Sequence, residues 1–495
     1  MTATRKIVSG TLWSFAQNSA ARLISFAVFA VLGRLLSPEA FGVVALAQAS
    51  IDVLLLFVGQ GIAAFLVHKE ALEDEHIDTA FWTTVGTSVA LAAGLTLVAP
   101  FVATFTDAPE VTPIIRWLAW TMPLHGLSQV HVALLTRGFE FRLMAVRTML
   151  AAIVGGVAGV AAAFAGWGTN ALVAQIVISQ VTSTAALWWA SGWRPSLRWS
   201  RSHALEQLRY SGGITGAGIL RVLSTRLDSF LIAGVLGTGP LGVYAVARRI
   251  LQLCSNLLSK SGDAVAASAF ARQQHDLEAL GRSARGAVSF SIFAAAPSFV
   301  GLAVLADVVV PLLLGHQWDD AVPVLRVLCG AGIVMAAGYV LSAAARAVGR
   351  PIILTYAQLA VLILYLGLLY LLFPLGLPGV AAAFTLAIAV VLPFQLWLLQ
   401  RMSGVSTAGW LRVMAPILAV SLVMGGAMWG ARALLAPSLA SIPAARAIEA
   451  GVAALVGVSV FALLARALLP EQIAQVRGVI AAVRGRGRAG AQADG

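Results

Sequence analysis

The 495-residue chain is poor in charge and in cysteine. Only 11% of its residues are charged, whereas 59% are hydrophobic, and a soluble domain needs a larger polar exterior than this. The two cysteines, Cys254 and Cys329, fall inside predicted apolar helices. They therefore support neither a disulfide scaffold nor a metal site. The composition excludes a soluble globular domain and indicates a protein that crosses a membrane many times.

Several signatures of chemistry are missing as well. The seven histidines show no metal-ligand spacing, and the sequence has no Ser-His-Asp or Cys-His arrangement suited to nucleophilic catalysis. None of the glycines lies in a phosphate loop between a strand and a helix. The acidic stretch KEALEDEHID, residues 69–78, is expected to be a solvated loop with helix-capping character. We therefore predict no enzyme and no bound cofactor.

Apolar segments long enough to cross a bilayer follow one another along the chain. A hydrocarbon core roughly 30 Å thick needs about 20 apolar residues in each helix. This rule predicts an all-α integral membrane protein with about 14 transmembrane helices. Their approximate spans are 11–33, 41–67, 80–104, 113–135, 146–166, 169–190, 210–236, 241–268, 286–314, 321–345, 352–373, 377–400, 413–435 and 447–469.

Positive charge is distributed unevenly between the two predicted sides of the membrane. Short loops rich in Lys and Arg stay in the cytoplasm. One set of alternate loops, with the tail from Arg466 to Arg488, holds most of the cations, and the other set holds Arg34, Arg116, Arg432 and Arg446. We therefore expect a multi-pass protein of the inner (plasma) membrane with both termini in the cytoplasm. This asymmetry also explains the net charge of +12 without a nucleic-acid partner.

The sequence repeats itself at an offset of about 200 residues. The segment LGRLLSPEAFGVVALAQ, residues 32–48, has a counterpart in LGTGPLGVYAVARR, residues 236–249, which makes Gly42 equivalent to Gly242. Each copy contains an even number of crossings, so the two copies have the same orientation. We therefore predict two six-helix lobes related by a pseudo-twofold axis along the membrane normal, with two further C-terminal helices.

A second landmark supports the same division. The hairpin GWGTNA at residues 166–171 is matched by PLGLPG at residues 374–379, which lies 208 residues further on. The predicted parts of the chain are an N-lobe at 1–200, a C-lobe at 201–405, two added helices at 406–470 and a basic cytoplasmic tail at 471–495.

Polar residues interrupt predicted helices 1, 2, 7 and 8. An ionisable side chain at the centre of a spanning helix costs roughly 2.5 to 3.5 kcal/mol, so such residues indicate a hydrated interior. At about 100° per residue the polar positions of helices 1, 7 and 8 each fall on one face. The predicted cavity residues are Asn18, Arg22, Asp52, Arg221, Thr225, Asp228, Arg249, Gln252, Asn256 and Lys260. Two parallel lobes around such a cavity are typical of a transporter that exposes a midplane site to each side alternately.

The charged residues also have a structural interpretation. Each of the three cavity arginines can instead pair with an aspartate in helix packing, namely Asp52, Asp228 or Asp263. Arg226 points away from the polar face of helix 7, which favours a structural role, and Arg248 is compatible with either role. Taken as a set, the arginines favour an anion-binding cavity. The aspartates are then partners that tune the arginines, and one of them could also bind a proton or Na⁺.

Several segments resemble those of a known transporter family. They are LGRLLSPEAFGVVALA at 32–47, Gly59 to Gly61 at the end of helix 2, the pair Phe81-Trp82, and LLTRGFEFRLMAVR at 134–147. These segments resemble the polysaccharide transporter branch, the Wzx-like flippases, of the multidrug/oligosaccharidyl-lipid/polysaccharide exporter superfamily. The similarity covers helices 1 to 12 and is strongest in the first 150 residues. It implies a V-shaped cavity between two six-helix lobes.

The resemblance also implies a substrate, an oligosaccharide joined through pyrophosphate to a polyprenol. Such a flippase moves this molecule from the cytoplasmic to the periplasmic leaflet for the synthesis of O-antigen, capsule or exopolysaccharide. Its partners would be the lipid-linked glycan, the membrane, and polysaccharide polymerase and export machinery. The coupling ion, H⁺ or Na⁺, is left open. The alternative is a cation-coupled drug exporter of the same superfamily, which would need carboxylates at the cavity centre, whereas helix 1 carries Arg22 and no acidic residue in its span.

Overall fold

The computed structural model describes residues 21–69, 71–273, 276–347, 352–403, 407–439 and 445–475. The regular elements among these residues are all helical, with no β-strand, which confirms the predicted all-α fold. The first described helix, α1, covers residues 21–35. It is followed by α2 Pro38–Leu55, α3 Gln60–His68, α4 Asp74–Phe105, α5 Val111–Ala119, α6 Thr121–Arg137, α7 Phe141–Phe164, α8 Thr169–Ala190, α9 Arg201–Leu236, α10 Thr238–Arg272, α11 Leu277–Leu314, α12 Ala321–Ala347, α13 Ile352–Leu372, α14 Leu377–Ser403, α15 Thr407–Leu439 and α16 Ala445–Leu468.

Ten of the described helices are long and apolar enough to cross a membrane. They are α2, α4, α7, α8 and α11 to α16. The long helices α9, with 36 residues, and α10, with 35, are not among these ten. Both carry charged residues along the polar faces described above. The chain is therefore a multi-pass membrane protein, while the total of fourteen spans stays a prediction.

Two predicted spans are each divided into two helices. The span 41–67 breaks between α2 and α3, because Gly59 adopts a left-handed conformation with φ of 81° that no helix can continue through. The span 113–135 breaks at Trp120, between α5 and α6. Pro123 causes this second break, since it has no N–H to donate to the carbonyl of Ala119 and its ring crowds that carbonyl. Each of these two predicted spans therefore consists of two helices in the structure.

The chain separates into two compact units. Unit 1 comprises Met1–Val246 and Leu313–Trp318, and unit 2 comprises Ala247–Leu312 and Asp319–Gly495. The division cuts α10 and places α9 with the helices that precede it, against which it packs through α2, α3 and α4. The lobe boundaries proposed from the sequence stay a prediction.

Two long-range contacts hold the end of α3 within unit 1. Arg137 donates a hydrogen bond of 3.0 Å to the carbonyl of Leu66 and a second to Lys69 O, so it satisfies carbonyls that the helix end leaves open. Lys69 Nζ in turn donates to Glu206 Oε1 of α9 at 2.6 Å. This hydrogen bond lowers the pKa of the Glu206 carboxyl below its ordinary value. The α3–α4 connection is thus tied to the beginning of α9.

The C-terminal end of α1 is held by the connection between α11 and α12. Trp318 Nε1 donates to the carbonyl of Gly33 at 2.7 Å, and Gln317 Nε2 donates to the carbonyl of Leu36 at 3.1 Å. Trp318 is fully buried and its ring lies edge-on to Phe41, with centroids 5.2 Å apart. Because the last carbonyls of a helix have no partner within it, these side chains act as a C-terminal cap supplied from a distant segment.

The two copies of the repeated motif contact each other reciprocally. A Cβ on Gly42 would lie 2.6 Å from the carbonyl carbon of Thr238 and 3.0 Å from the nitrogen of Gly242. A Cβ on Gly242 would lie 2.8 Å from the carbonyl carbon of Pro38 and 2.9 Å from the nitrogen of Gly42. Residues 38 and 42 thus meet residues 238 and 242 crosswise at a constant offset of 200. Such exchanged contacts are what a twofold relation produces.

Local backbone conformation repeats in the same way. Gly168, immediately before α8, has φ and ψ of 53° and −128°, and Gly376, immediately before α14, has 68° and −150°. Asp107 and Gly315 also both have positive φ, of 48° and 97°, just after α4 and α11. Each pair is separated by 208 residues, the offset of the sequence hairpins. The structure therefore carries the duplication at several independent points.

In unit 2, the last helices pack on the helices before them. The core is built from α10, α11, α12, α14, α15 and α16, and its largest fully buried side chain is Trp410. Arg432 of α15 forms a two-pronged ion pair with Asp307 of α11, with Nη1–Oδ1 of 2.8 Å and Nη2–Oδ2 of 2.6 Å. Arg326 of α12 adds a contact of 3.0 Å to the same carboxylate. The two C-terminal helices are thus an integral part of unit 2.

Candidate functional site

The predicted cavity residues divide according to what the structure describes. Asn18 lies outside the described residues, and the side chains of Arg221, Thr225 and Lys260 lie outside the described side chains. Six others are described. Arg22 is on α1, Asp52 on α2 and Asp228 on α9, all within unit 1, whereas Arg249, Gln252 and Asn256 are on the part of α10 within unit 2.

Asp52 pairs with an arginine other than those predicted. Its carboxylate oxygen Oδ2 contacts Nη2 of Arg226, on the neighbouring helix α9. Arg226 retains 40% of its side-chain exposure and Asp52 24%, so water still reaches both groups. The expectation of a structural Arg226 agrees with this contact, but the sequence did not identify its partner. The partner depends on which side of α9 faces α2. The angular positions of residues around α9 do not determine which neighbouring helix each side contacts.

Asp228 does not face an open surface in this conformation. It is 1% exposed, and its Oδ2 accepts a hydrogen bond of 3.0 Å from the hydroxyl of Tyr244 on α10. Its Oδ1 accepts from the nitrogen of Ser229 at 2.8 Å. A buried carboxylate needs such donors, because desolvation without them is costly. Asp228 therefore links α9 to the first turns of α10.

The described part of the polar face of α10 is exposed, whereas its apolar face is buried. Arg249 and Gln252 are exposed and Asn256 is half-buried, and these three residues lie one above the other at spacings of three and four. On the opposite side, Ile250 and Leu251 are 3% and 2% exposed. This face offers a guanidinium and two amides side by side. Such groups suit a phosphate and sugar hydroxyls respectively.

Arg248, whose role the sequence left open, contacts an aromatic ring. Its guanidinium carbon lies 4.9 Å from the centroid of Phe384 on α14. A guanidinium over a ring face is held by the ring quadrupole and by the stacked contact. Arg248 therefore contributes to packing within unit 2, while its neighbour Arg249 is exposed.

Another polar group in unit 1 was missed by the sequence reasoning. His125 and Gln129, one turn apart on α6, contact each other through their side chains. Arg147 on α7 adds a buried cationic group, since its Nε has no hydrogen-bond partner among the described residues. Gln48, one turn before Asp52 on α2, is one of the polar residues that interrupt predicted helix 2, and its Oε1 is buried without a hydrogen-bond partner among the described residues. In the sequence, His125 and Gln129 are two polar residues four positions apart in an otherwise apolar helix, and this spacing could have indicated their contact.

Comparisons with known proteins agree with this architecture. A family model described as polysaccharide biosynthesis protein matches residues 31–323, which is more than half of the chain. The succinoglycan biosynthesis transport protein ExoT of Rhizobium meliloti (strain 1021) is 29% identical over 316 residues, covering 64% of this chain and 64% of ExoT. The chain thus spans slightly less than two thirds of the length of ExoT.

Two further proteins are similar over longer stretches. The lipopolysaccharide biosynthesis protein WzxC of Escherichia coli (strain K12) is 24% identical over 340 residues, which cover 68% of this chain and 69% of WzxC. Among solved structures, the lipid II flippase MurJ in an inward closed conformation superposes with a TM-score of 0.78 at 12% identity. That match covers 94% of this chain and 100% of the MurJ chain, so the two share a fold.

Proposed function

This chain belongs to the polysaccharide biosynthesis protein family, and we propose that it is a flippase for a polyprenyl-pyrophosphate-linked oligosaccharide. It moves this substrate from the cytoplasmic to the periplasmic leaflet of the inner membrane by alternating access. Both termini face the cytoplasm, as the distribution of Lys and Arg indicates. The transported glycan then serves O-antigen, capsule or exopolysaccharide synthesis, in which a polymerase and export machinery act next.

The polar face of α10 is the observation that carries this proposal. Arg249 and Gln252 are exposed on a helix that the sequence predicts to cross the membrane, where lipid-facing positions would be apolar. A guanidinium offers paired donors to pyrophosphate oxygens and keeps its charge at any cellular pH. Gln252 and Asn256 can both donate to and accept from sugar hydroxyls. We assign the pyrophosphate to Arg249 together with Arg22 and Arg221, and the first sugars to Asn18, Thr225, Gln252, Asn256 and Lys260.

A hydrated path is what such a substrate requires. Each sugar hydroxyl removed from water without a new partner costs on the order of 1 to 3 kcal/mol, and the pyrophosphate charge costs far more. Polar side chains along the path replace the lost water contacts, while the polyprenyl chain stays in the lipid. The membrane potential can contribute roughly 2.3 kcal/mol per charge per 100 mV. No cofactor is required, and H⁺ or Na⁺ is the coupling ion that we would test first.

Export of a cationic drug is the rival function. A cation site in a membrane needs an available carboxylate, because the site has to replace the hydration of the cation. Of the carboxylates predicted in the cavity and described, Asp52 is neutralised by Arg226 and Asp228 is enclosed by Tyr244 and Ser229. Among the described side chains of α10, the exposed charged group is the cation Arg249. These charges favour an anionic substrate.

Alanine variants of the arginines test the proposal in cells. Arg249→Ala, Arg22→Ala and Arg221→Ala should cause lipid-linked glycan to accumulate on the cytoplasmic side while the amount of protein stays normal. Arg282→Ala is the matched control, because it removes the same charge from an exposed position beside Glu278. Polysaccharide export at the wild-type rate in all three variants would overturn the assignment of the cavity.

A further inference from the structure

Three metal-ligating side chains converge where α4 and α9 begin. Glu73, His76 and His203 each offer one ligand atom, and these atoms all lie within 4.8 Å of one another. Residues 73 and 76 precede the predicted span 80–104, and residue 203 precedes the predicted span 210–236. The cluster therefore lies outside the predicted membrane spans, and the proposed transport does not use it.

The two imidazole rings of the cluster lie side by side. Their ring centroids are 3.7 Å apart with an interplanar angle of 42°, and two cations at this distance repel strongly. His76 is only 4% exposed, and its Nδ1 is buried without a hydrogen-bond partner among the described residues. A histidine binds a metal ion through a ring nitrogen that carries no proton, and Nδ1 of His76, which has no other partner among the described residues, is placed for that role.

The carboxylate of Glu73 lies at a distance from His76 close to that between two ligands of one metal ion. Glu73 Oε2 is 3.7 Å from His76 Nδ1, the unpartnered nitrogen. Ligands of a tetrahedral ion with metal–ligand bonds of about 2.0–2.1 Å are separated by about 3.3–3.4 Å. The side chain of Glu73 is 71% exposed and makes no capping hydrogen bond at the start of α4, so it is available to rotate toward the ion.

A second layer of contacts orients the ligands. Glu206 Oε2 lies 3.6 Å from His76 Nε2 and 3.9 Å from His203 Nδ1, while its Oε1 accepts from Lys69. Gln207 Nε2 donates to the backbone carbonyl of His76 at 2.9 Å. A carboxylate beside the far nitrogen of a ligating histidine fixes its tautomer and ring orientation, as found around protein-bound zinc.

We propose that Glu73, His76 and His203 bind one divalent transition-metal ion of the zinc class, with water in the fourth position. Glu206 acts as the carboxylate that orients His76 through Nε2, the ring nitrogen that does not bind the ion. Two nitrogens and one carboxylate oxygen suit Zn²⁺ or Co²⁺, whereas Mg²⁺ and Ca²⁺ prefer oxygen ligands alone. The bound ion would fasten the beginning of α4 to the beginning of α9, the first helix of the predicted second copy of the repeat.

Cobalt binding to the purified full-length protein tests this site. The protein, prepared in detergent without a histidine tag, is titrated with Co²⁺, which gives visible absorption bands in a tetrahedral site. We expect one Co²⁺ per chain, displaced by Zn²⁺, and a melting temperature that rises with added Zn²⁺. Absence of these bands and of any bound Co²⁺ or Zn²⁺ in the wild-type protein would overturn the proposal.

Two ligand variants and one control make the test specific. Glu73→Gln and His203→Gln alter side chains at or near the surface, and each should weaken Co²⁺ binding at least tenfold. His68→Gln removes an exposed histidine of the adjacent α3 whose ring contacts its own helix, and it should bind Co²⁺ as the wild type does. Melting curves without metal establish that each variant is folded. Wild-type affinity in both ligand variants would assign the ion to other residues and refute the site.

Discussion

Gly42 and Gly242 lie against each other at the beginnings of α2 and α10. A Cβ on either glycine would come within 3.0 Å of the backbone nitrogen of the other. Their equivalence was read from a motif repeated 200 residues apart, and the structure brings the two copies into direct contact. Real Cβ atoms do not approach backbone atoms this closely, so the crossing requires glycine on both helices.

Replacing either glycine should therefore destabilise the protein to a similar extent. Gly42→Ala forces the new methyl group into the carbonyl of Thr238, and Gly242→Ala forces it into the carbonyl of Pro38. We expect each variant to lose about 1–3 kcal/mol, as other overpacked sites do, with the double variant losing less than the sum. Thermal unfolding in detergent measures the effect. Gly86→Ala on α4 is the control, since a Cβ there meets nothing within 4 Å.

The ion pair between Asp52 and Arg226 should contribute modestly to the packing of α2 against α9. Both side chains remain partly exposed, so water screens the attraction. We expect Asp52→Asn and Arg226→Gln each to cost about 1 kcal/mol and the double variant to cost little more than either alone. A double-mutant cycle on thermal stability measures this coupling. Additive losses would mean that the two side chains act independently.

The bidentate ion pair between Arg432 and Asp307 should contribute more to the free energy of unfolding than the single contact from Arg326 to the same carboxylate. Arg432→Lys keeps the charge but loses the paired geometry, and we expect a loss of about 1–2 kcal/mol. Arg326→Lys is the matched change on the same carboxylate, and because Arg326 is 48% exposed it should cost much less. Limited proteolysis of the α15–α16 region and thermal unfolding both report the difference. Equal losses in the two variants would contradict this order.

The fold class could be predicted from the sequence alone. A chain with many long apolar segments and few charges can bury those segments only as helices that cross a membrane. The sequence also located both hairpins, and the glycines at 168 and 376 have similar backbone angles. The sequence pattern did not indicate the break between α5 and α6 at Trp120, because this break depends on Pro123 three residues later. A rule that counts apolar residues does not register a missing backbone donor.

The site was harder to predict than the fold, since partner choice depends on tertiary packing. Asp52 was matched with arginines of the polar faces, but α2 meets the flank of α9 that carries Arg226. His76 and His203 are among the histidines that show no metal-ligand spacing in the sequence, and only the packing of α4 against α9 brings their rings together. Residues 69–78 were expected to be a loop, yet α4 begins at Asp74 and buries His76.

The most direct measurement is the transfer of a polyprenyl-pyrophosphate-linked oligosaccharide across proteoliposomes that contain the purified protein. A membrane-impermeant glycosidase reports how much of the glycan reaches the outer leaflet. We expect rapid transfer with the wild-type protein, at least tenfold slower transfer with Arg249→Ala, partial recovery with Arg249→Lys, and wild-type transfer with Arg282→Ala. Transfer by Arg249→Ala at the wild-type rate, or none by the folded wild-type protein under an imposed membrane potential and H⁺ or Na⁺ gradient, would contradict the proposed function.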